Sequence, residues 1–485
     1  MLTPLRTKLS DRVYAVYAVR RKVGGLATTL SANSAAAATT MTLTSVVGAD
    51  SADPLLIGSE EDVELRVQVG APAAQVVTIG APGLKRAHVT GEAVYEGVAY
   101  DLGNVTGVQD GSTADVFDNE TDTALNPDGR RLGHLALQPQ ADIGGWSPQL
   151  FALVTGTDLA RVRGAGTSAS PEQLHSDGSD FGRVATALVI VEILADGSYL
   201  RHAFDACDAD YTQLKIAFGQ GRETMLAGRF VAANHAESYL AIPAFTVNST
   251  LRASKRLQLE SLLEAGLFTP AAGGLSTTTT GAVVLDATVV PFTAVTAVAG
   301  GKWYEIAGGG KKQILWVESV NVLNVTMRTH LAYGFPAGST ITEINQTSFS
   351  GLKEGTTEFS VGGAMKTPPK FDNSRVQAGA RPGSALFSLA VQPTARTLEN
   401  LRLRLGLPAS SIVASTALVH SDLAGTDAPV GWFTRVQRED VRSVYFVGSD
   451  CDNGMEQLAM ALSKNDLASI ALSFRSQLVS QLLWS

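Results

Sequence analysis

The residues of this chain that could bind a metal, transfer a proton or attack a substrate are few and scattered. Its seven histidines, His88, His134, His175, His202, His235, His330 and His420, show no metal-ligand spacing. Cys207 and Cys451 are too few for a disulfide framework or a four-ligand zinc site. Asp205, Asp208 and Asp210 resemble a fragment of a calcium loop that lacks its glycine and its terminal glutamate; Asp208 and Asp210 read better as helix-start residues. Gly308-Gly-Gly-Lys-Lys312 lacks the Ser or Thr that closes a phosphate loop and lies between strand candidates, so it reads as a hairpin turn. A nucleophile elbow, a His-Glu-x-x-His pair and a Cys-x-x-Cys pair are missing from the sequence, as is a paired-carboxylate site with aromatic platforms. The expectation is a protein with no catalytic residues, no cofactor and no metal.

Two charged groups remain. Asp115, Asp118, Glu120, Asp122 and Asp128 form an acidic run. It reads as a solvated loop, as a wall past which something anionic slides, or as a contact between rings of subunits. Arg6, Lys8, Arg12, Arg20, Arg21 and Lys22 form a basic amino-terminal arm that could reach such a surface on a neighbour.

The elements that must position these residues are mostly strands. With 485 residues, 45% of them hydrophobic and 17% charged, the chain can bury large cores and does not read as disordered. Its apolar runs are too short for a membrane-spanning helix, and Arg20-Arg21-Lys22 follows the amino-terminal one in place of a signal cleavage site. The net charge of −8 argues against a surface that grips nucleic acid. Strand candidates include 12–19, 63–69, 75–79 and 313–317, and the leucine spacing over Ser249–Ala265, ending at Gly266, predicts a helix.

An internal repeat organises the rest. Cys207-Asp208 and Cys451-Asp452 lie 244 positions apart, and the same offset aligns Gln213-Leu214 with Gln457-Leu458, Ala217 with Ala461, Ala227 with Ala471 and Phe230 with Phe474. Both copies predict a short helix, opened by Asp208 or Asp210 and by Asn453, and then a strand. Leu135-Ala-Leu-Gln-Pro139 matches Leu389-Ala-Val-Gln-Pro393, and Leu30-Ser31 matches Leu275-Ser276. Leu84, Gly91, Val94 and Glu96 fall on Leu331, Gly338, Ile341 and Glu343, while 147–153 and 397–403 predict short helices ending at Gly156 and Gly406. The expected organisation is an arm or strand over 1–25, a small β module over 26–97, a β-sandwich over 98–247 and a connecting helix over 248–274. A second module over 275–345 and a second sandwich over 346–485 follow. Strand 12–19 belongs with the sandwich, with 239–247 as its counterpart, so each module is an insertion.

The Ser/Thr/Ala-rich β segment ending in Leu84, His88, Gly91 and Val94 resembles small β modules of bacteriophage virion proteins. The stretches 259–268 and 399–408 resemble helices of the tail tube proteins of long-tailed phages (siphophages), in particular those with a tandemly duplicated tube domain. That resemblance implies a mainly β fold: tandem tail-tube-like β-sandwiches with short flanking helices, each carrying a small inserted β module. It also implies trimeric, pseudo-hexameric rings stacked head-to-tail into a tube in the virion tail, assembled in the host cytoplasm. The partners would be the chain itself, a tape measure protein in the lumen, other proteins at the tube ends, and DNA in passage without specific binding. A decoration, baseplate or neck protein is the alternative within virions, and a duplicated carbohydrate-binding module the alternative outside them.

Overall fold

Alternating apolar residues become strands throughout the computed structural model. It describes residues 14–118, 130–232, 236–239, 247–248, 257–258, 264–366, 381–393, 430–438, 442–451, 460–461, 469–470 and 472–484, apart from 52, 59–62, 104, 111–112, 137–138, 168–169, 182–183, 185, 194–198, 210–213, 219–224, 272, 297, 350 and 353–356. The protein is mainly β, with one α-helix, Pro148–Thr155, among the described residues. That helix starts where its sequence requires: the Ser147 hydroxyl accepts a hydrogen bond from the Leu150 amide at 3.0 Å, and Gly156 ends it in the left-handed conformation. Gly309 and Gly310, both left-handed, make the expected hairpin turn between strands Trp303–Gly308 and Lys311–Asn321.

The two halves share one hydrogen-bond register. Strand Thr186–Ile193 pairs antiparallel with Tyr199–Ala209, setting Leu188 opposite Phe204 and Val189 opposite Ala203. Strand Gly431–Arg438 pairs with Ser443–Ser449, setting Trp432 opposite Gly448 and Phe433 opposite Val447, each residue 244 positions on (432 − 188 = 244). Ile216 faces Leu226 in one half and Met460 faces Ile470 in the other. A slip of one residue would invert every side chain between core and solvent, so matching registers mean that the same fold is encoded twice.

Several expectations need correction. The counterpart of Tyr14–Arg21 is Glu264–Pro270, not 239–247, because Tyr17 lies opposite Val189 and Gly266 opposite Phe433. The helix expected over Ser249–Ala265 is absent from its described positions: Leu257–Gln258 and Glu264–Pro270 are strands. Tertiary pairing overrides the leucine spacing there, since Glu264–Pro270 is a central strand between Thr340–Ser348 and Gly431–Arg438, buried on both faces. Gly266 is needed because a Cβ would run into the Thr347 carbonyl and the Phe433 ring, not because a helix stops. Of the short helices expected after Asp208 or Asp210 and after Asn453, positions 210–213 and 453–459 lie outside the described residues; strands Lys215–Phe218 and Met460–Ala461 follow them, and Asp208 itself lies in strand Tyr199–Ala209 and opens no helix. The helix expected over 397–403 and the stretch 399–408 lie outside the described residues. Two alignments shift by four positions. Ala27 takes the ladder position of Ser276, and Ala141, opposite Gly228, corresponds to Val391, opposite Leu472.

Each sandwich carries its module in the same place. The modules bury separate small cores, Leu26, Leu30, Leu43, Ile57 and Val94 in the first and Val290, Phe292, Leu315, Val325 and Ile341 in the second. The strands Ala93–Asp101 and Thr340–Ser348 run from module into sandwich without a break. One hydrogen bond recurs at the seat: the Leu65 amide donates to Asp205 Oδ1 at 3.3 Å, and the Ile314 amide donates to Ser449 Oγ at 3.0 Å. Another holds the loop beside it, the Lys85 amide donating to Glu64 at 2.7 Å and the Ala332 amide to Gln313 at 2.8 Å. Only the first copy uses charges: burial pushes the Asp205 carboxyl up to about 6, although Lys85 Nζ lies 2.5 Å away. Lys85→Ala should therefore strand a buried carboxylate and cost roughly 3–5 kcal/mol in denaturant unfolding. The double variant Lys85→Ala/Asp205→Ser, which installs the second copy's Ala332 and Ser449 chemistry, should recover most of that loss.

Candidate functional site

Among the described residues, the feature that bears on function is the joint between the copies. It is built from strand edges. Lys215–Phe218 of the first copy pairs antiparallel with Thr357–Lys366 of the second, Ile216 opposite Phe359 and Ala217 opposite Glu358. Glu172–Ser176 of the first copy pairs antiparallel with Leu478–Trp484 of the second. Backbone groups at both edges thus find partners that neither copy supplies to itself. Lys215 and Glu358 meet at 3.1 Å on the surface, where an ion pair contributes little.

Side chains lock the joint. Trp146 Nε1 donates to Gln481 Oε1 at 3.1 Å, His175 Nδ1 lies 2.8 Å from Ser480 Oγ, and Gln173 accepts from the His330 amide at 2.9 Å. Burial lowers His175 to about 4, so it is neutral at pH 7. A single aromatic core runs through both copies, with ring centroids 5.0 Å apart for Trp146–Phe446, 5.6 Å for Phe218–Phe446 and 6.3 Å for Phe151–Phe359. Such pairs add about 0.5–1.5 kcal/mol each beyond the area they bury. The strand 172–176 was not anticipated. A signal existed, because Leu174-His175-Ser176-Asp177 recurs as Val419-His420-Ser421-Asp422.

The acidic run lies on and beyond one strand of a long hairpin. Asp115 and Asp118 belong to Thr113–Asp118, which pairs with Arg130–Ala136; Glu120, Asp122 and Asp128 lie outside the described residues. Among the described residues this ribbon pairs with no other strand. Its counterpart in the second copy, Thr357–Lys366 with Arg381–Val391, sets Lys366 opposite Arg381, and the stretch joining them carries Lys370, Asp372 and Arg375. With Arg130 and Arg131 on the first hairpin, Arg130 opposite Asp118, and Glu358 on the second, the stretch 113–136 keeps a net negative charge and 357–391 a net positive one. The basic arm fares differently. Arg6, Lys8 and Arg12 lie outside the described residues. Arg20 is buried and donates to the Ala152 and Leu153 carbonyls at 3.2 and 2.7 Å, holding the last turn of the helix. Arg21 stacks over the Tyr95 ring at 4.1 Å. Arg20 thus serves the fold of its own copy, which corrects its assignment to a contact arm, while Lys22 pairs with Glu96 and Arg21 is exposed beside Tyr95.

The clusters that could have held chemistry are structural. Asp50, Asp53 and Glu96 have the spacing of metal ligands, but the Lys22 ammonium sits among them at 2.9, 2.9 and 2.8 Å. In the second module Lys302, at the position of Asp53, pairs with Glu343, at the position of Glu96. Cys207 and Cys451 occupy equivalent positions, each Sγ directed at the carbonyl three residues earlier, and no disulfide joins them. Buried His88 lies between Glu64 Oε2 at 3.0 Å and Glu92 Oε2 at 2.6 Å. Burial alone would lower its pKa, but the hydrogen bonds to Glu64 and Glu92 outweigh burial and raise it. The sign follows: a protonated His88 stabilises the first module fully below the ordinary histidine value of about 6.5, and that stability is lost as pH rises through the raised value. Phe335 takes the place of His88 in the second module, since Ser34 bridges His88 and Val283 bridges Phe335. Amide hydrogen exchange should show the first module loosening above neutral pH while the second does not change, and His88→Gln should abolish the difference in pH dependence.

No protein-family model matches the sequence, and no curated protein is similar to it.

Proposed function

We propose that this chain is the tail tube protein of a long-tailed bacteriophage, a structural virion protein and not an enzyme. Three copies, each with two β units, would form a ring of six similar walls, and rings would stack into the hollow tube that conducts DNA. The observation that carries this reading is the joint: the first copy presents one kind of edge and the second receives it with another kind. A contact of that type is head-to-tail, and repeated with rotation it closes a ring. Closure also removes the open edges that make a β-protein aggregate.

The hairpins fit stacking. A two-stranded ribbon alone is marginal in water, so its outer half gains stability by meeting a neighbour. Acidic and basic ribbons alternating around a ring would let each ring dock on the next through opposite charges. The net charge of −8 suits a duct that repels phosphates. The tape measure protein in the lumen and the proteins at the tube ends would be the other partners, in a virion tail assembled in the host cytoplasm. The carbohydrate-binding alternative is disfavoured by the tryptophans, because Trp146, Trp303 and Trp432 are buried and Trp303 packs edge-on against Trp316 at 4.5 Å.

Negative-stain microscopy with mass measurement of the purified protein should show three-subunit rings and stacked tubes. A monodisperse monomer at every concentration and salt condition would refute the reading. Replacing Asp115, Asp118 and Glu120 with lysines should leave single rings intact and shorten or abolish tubes. Normal tubes that instead retain DNA in a salt-sensitive way would move these carboxylates to the lumen.

A further inference from the structure

The internal joint specifies what should happen at the two ends of the chain's sheet system. Lys215–Phe218 is paired on both sides, to Met225–Ala232 of its own copy and to Thr357–Ser360 of the other. Its counterpart Met460–Ala461 is paired on one side, to Ser469–Ile470, and among the described residues no strand covers its other side. The receiving strand shows the reverse asymmetry. Thr357–Ser360 is paired on both sides, whereas its counterpart positions 108–110, in strand Val105–Asp110, pair with Pro139–Gly144 and, among the described residues, with nothing else. Among the described residues one giving edge and one receiving edge are therefore left over, and they are the repeat-equivalents of two edges that already fit each other.

We infer that the outer edge of Met460–Ala461 pairs antiparallel with the outer edge of Val105–Asp110 of a second copy of this chain. This deepens the ring reading and rests on it. The register follows from the ladders. Gln140 lies opposite Arg229, and Ala390 lies opposite Ser473, 244 positions on, so Gln140 and Ala390 are equivalent. Their hairpin partners, Gln109 and Glu358, are then equivalent too. Within the chain Ala217 faces Glu358, so between chains Ala461 faces Gln109, and Met460 faces Asp110. The internal ion pair of Lys215 with Glu358 has Ala459 and Gln109 at the matching positions, so neither half of that pair is left without the other. The two edges differ, so the contact cannot be twofold. It runs head-to-tail, and it satisfies ladder groups that would otherwise template aggregation.

The test is a cysteine pair, Gln109→Cys with Ala461→Cys, in a chain carrying Cys207→Ala and Cys451→Ala. Directly opposed antiparallel residues have Cα atoms about 4.5–5.5 Å apart, within disulfide range. Oxidation should give covalent dimers and trimers on a non-reducing gel, while either cysteine alone stays monomeric. The internal pair Ala217→Cys with Glu358→Cys serves as the control for folding and geometry, closing within one chain with no change in size. Rings seen by microscopy without crosslinking of the Gln109→Cys, Ala461→Cys chain would overturn the edge assignment and leave the ring reading standing. Failure of both rings and crosslinks, with the internal pair closing normally, would overturn both. A ladder of bands extending beyond three chains would support the edge and overturn closure by three.

Discussion

The unpaired strand edge is the constraint on which this architecture depends. Every β unit built from consecutive strands ends in a row of backbone donors and acceptors that water must satisfy or another strand must cover. In this chain the first copy covers an edge of the second at two places, Lys215–Phe218 against Thr357–Ser360 and Glu172–Ser176 against Leu478–Trp484. Those ladders turn two sandwiches into one continuous body with a shared aromatic core. Covalent tandem linkage keeps the two halves of the contact at high effective concentration, so the joint forms without waiting for a second molecule. Among the described residues, the repeat-equivalents of the edges joined in the middle of the chain, Val105–Asp110 and Met460–Ala461, each keep one side without a strand partner.

Around that frame the two copies reach the same contacts with different chemistry. The seat of the module is a backbone amide donating to a side chain, Asp205 in one copy and Ser449 in the other. The acceptor for the neighbouring loop is Glu64 in one and Gln313 in the other. Where the first copy adds charge, it adds a complete set: Lys85 for Asp205, Arg66 and His88 for Glu64. Where the second is neutral, Ala332 and Phe335 stand in place of the cation and the imidazole. Burying half of such a set would strand a charge in a low-dielectric interior, so these positions change together. The pairs Lys22–Glu96 and Lys302–Glu343 show the same logic, with the lysine moved to a different strand and the contact kept.

The duplication, the mainly β class and the short helix over 147–153 ending at Gly156 were legible because they rest on local features: residue recurrence, alternation and a terminating glycine. The four-residue misalignments at Leu30 and Leu135 arose where short similar strings, Leu-Ser and Leu-Ala-x-Gln-Pro, recur out of step with the ladders. At its described positions the helix expected up to Ala265 failed for a different reason. Its leucines have helical spacing, but the segment from Glu264 on is flanked by two strands and buried on both faces, so pairing outweighed propensity. Within the basic arm Arg20 was misread because charge was taken as exposure, whereas it is buried against helix carbonyls.

The sequence by itself determined that one β unit is written twice and that each copy carries an inserted module, since both depend only on which residues recur and at what spacing. Tertiary structure alone decided which edges meet. Outside proline, backbone hydrogen-bonding groups are the same at every residue and leave no mark in the sequence, so the joint and the register across it became visible only once the strands were placed.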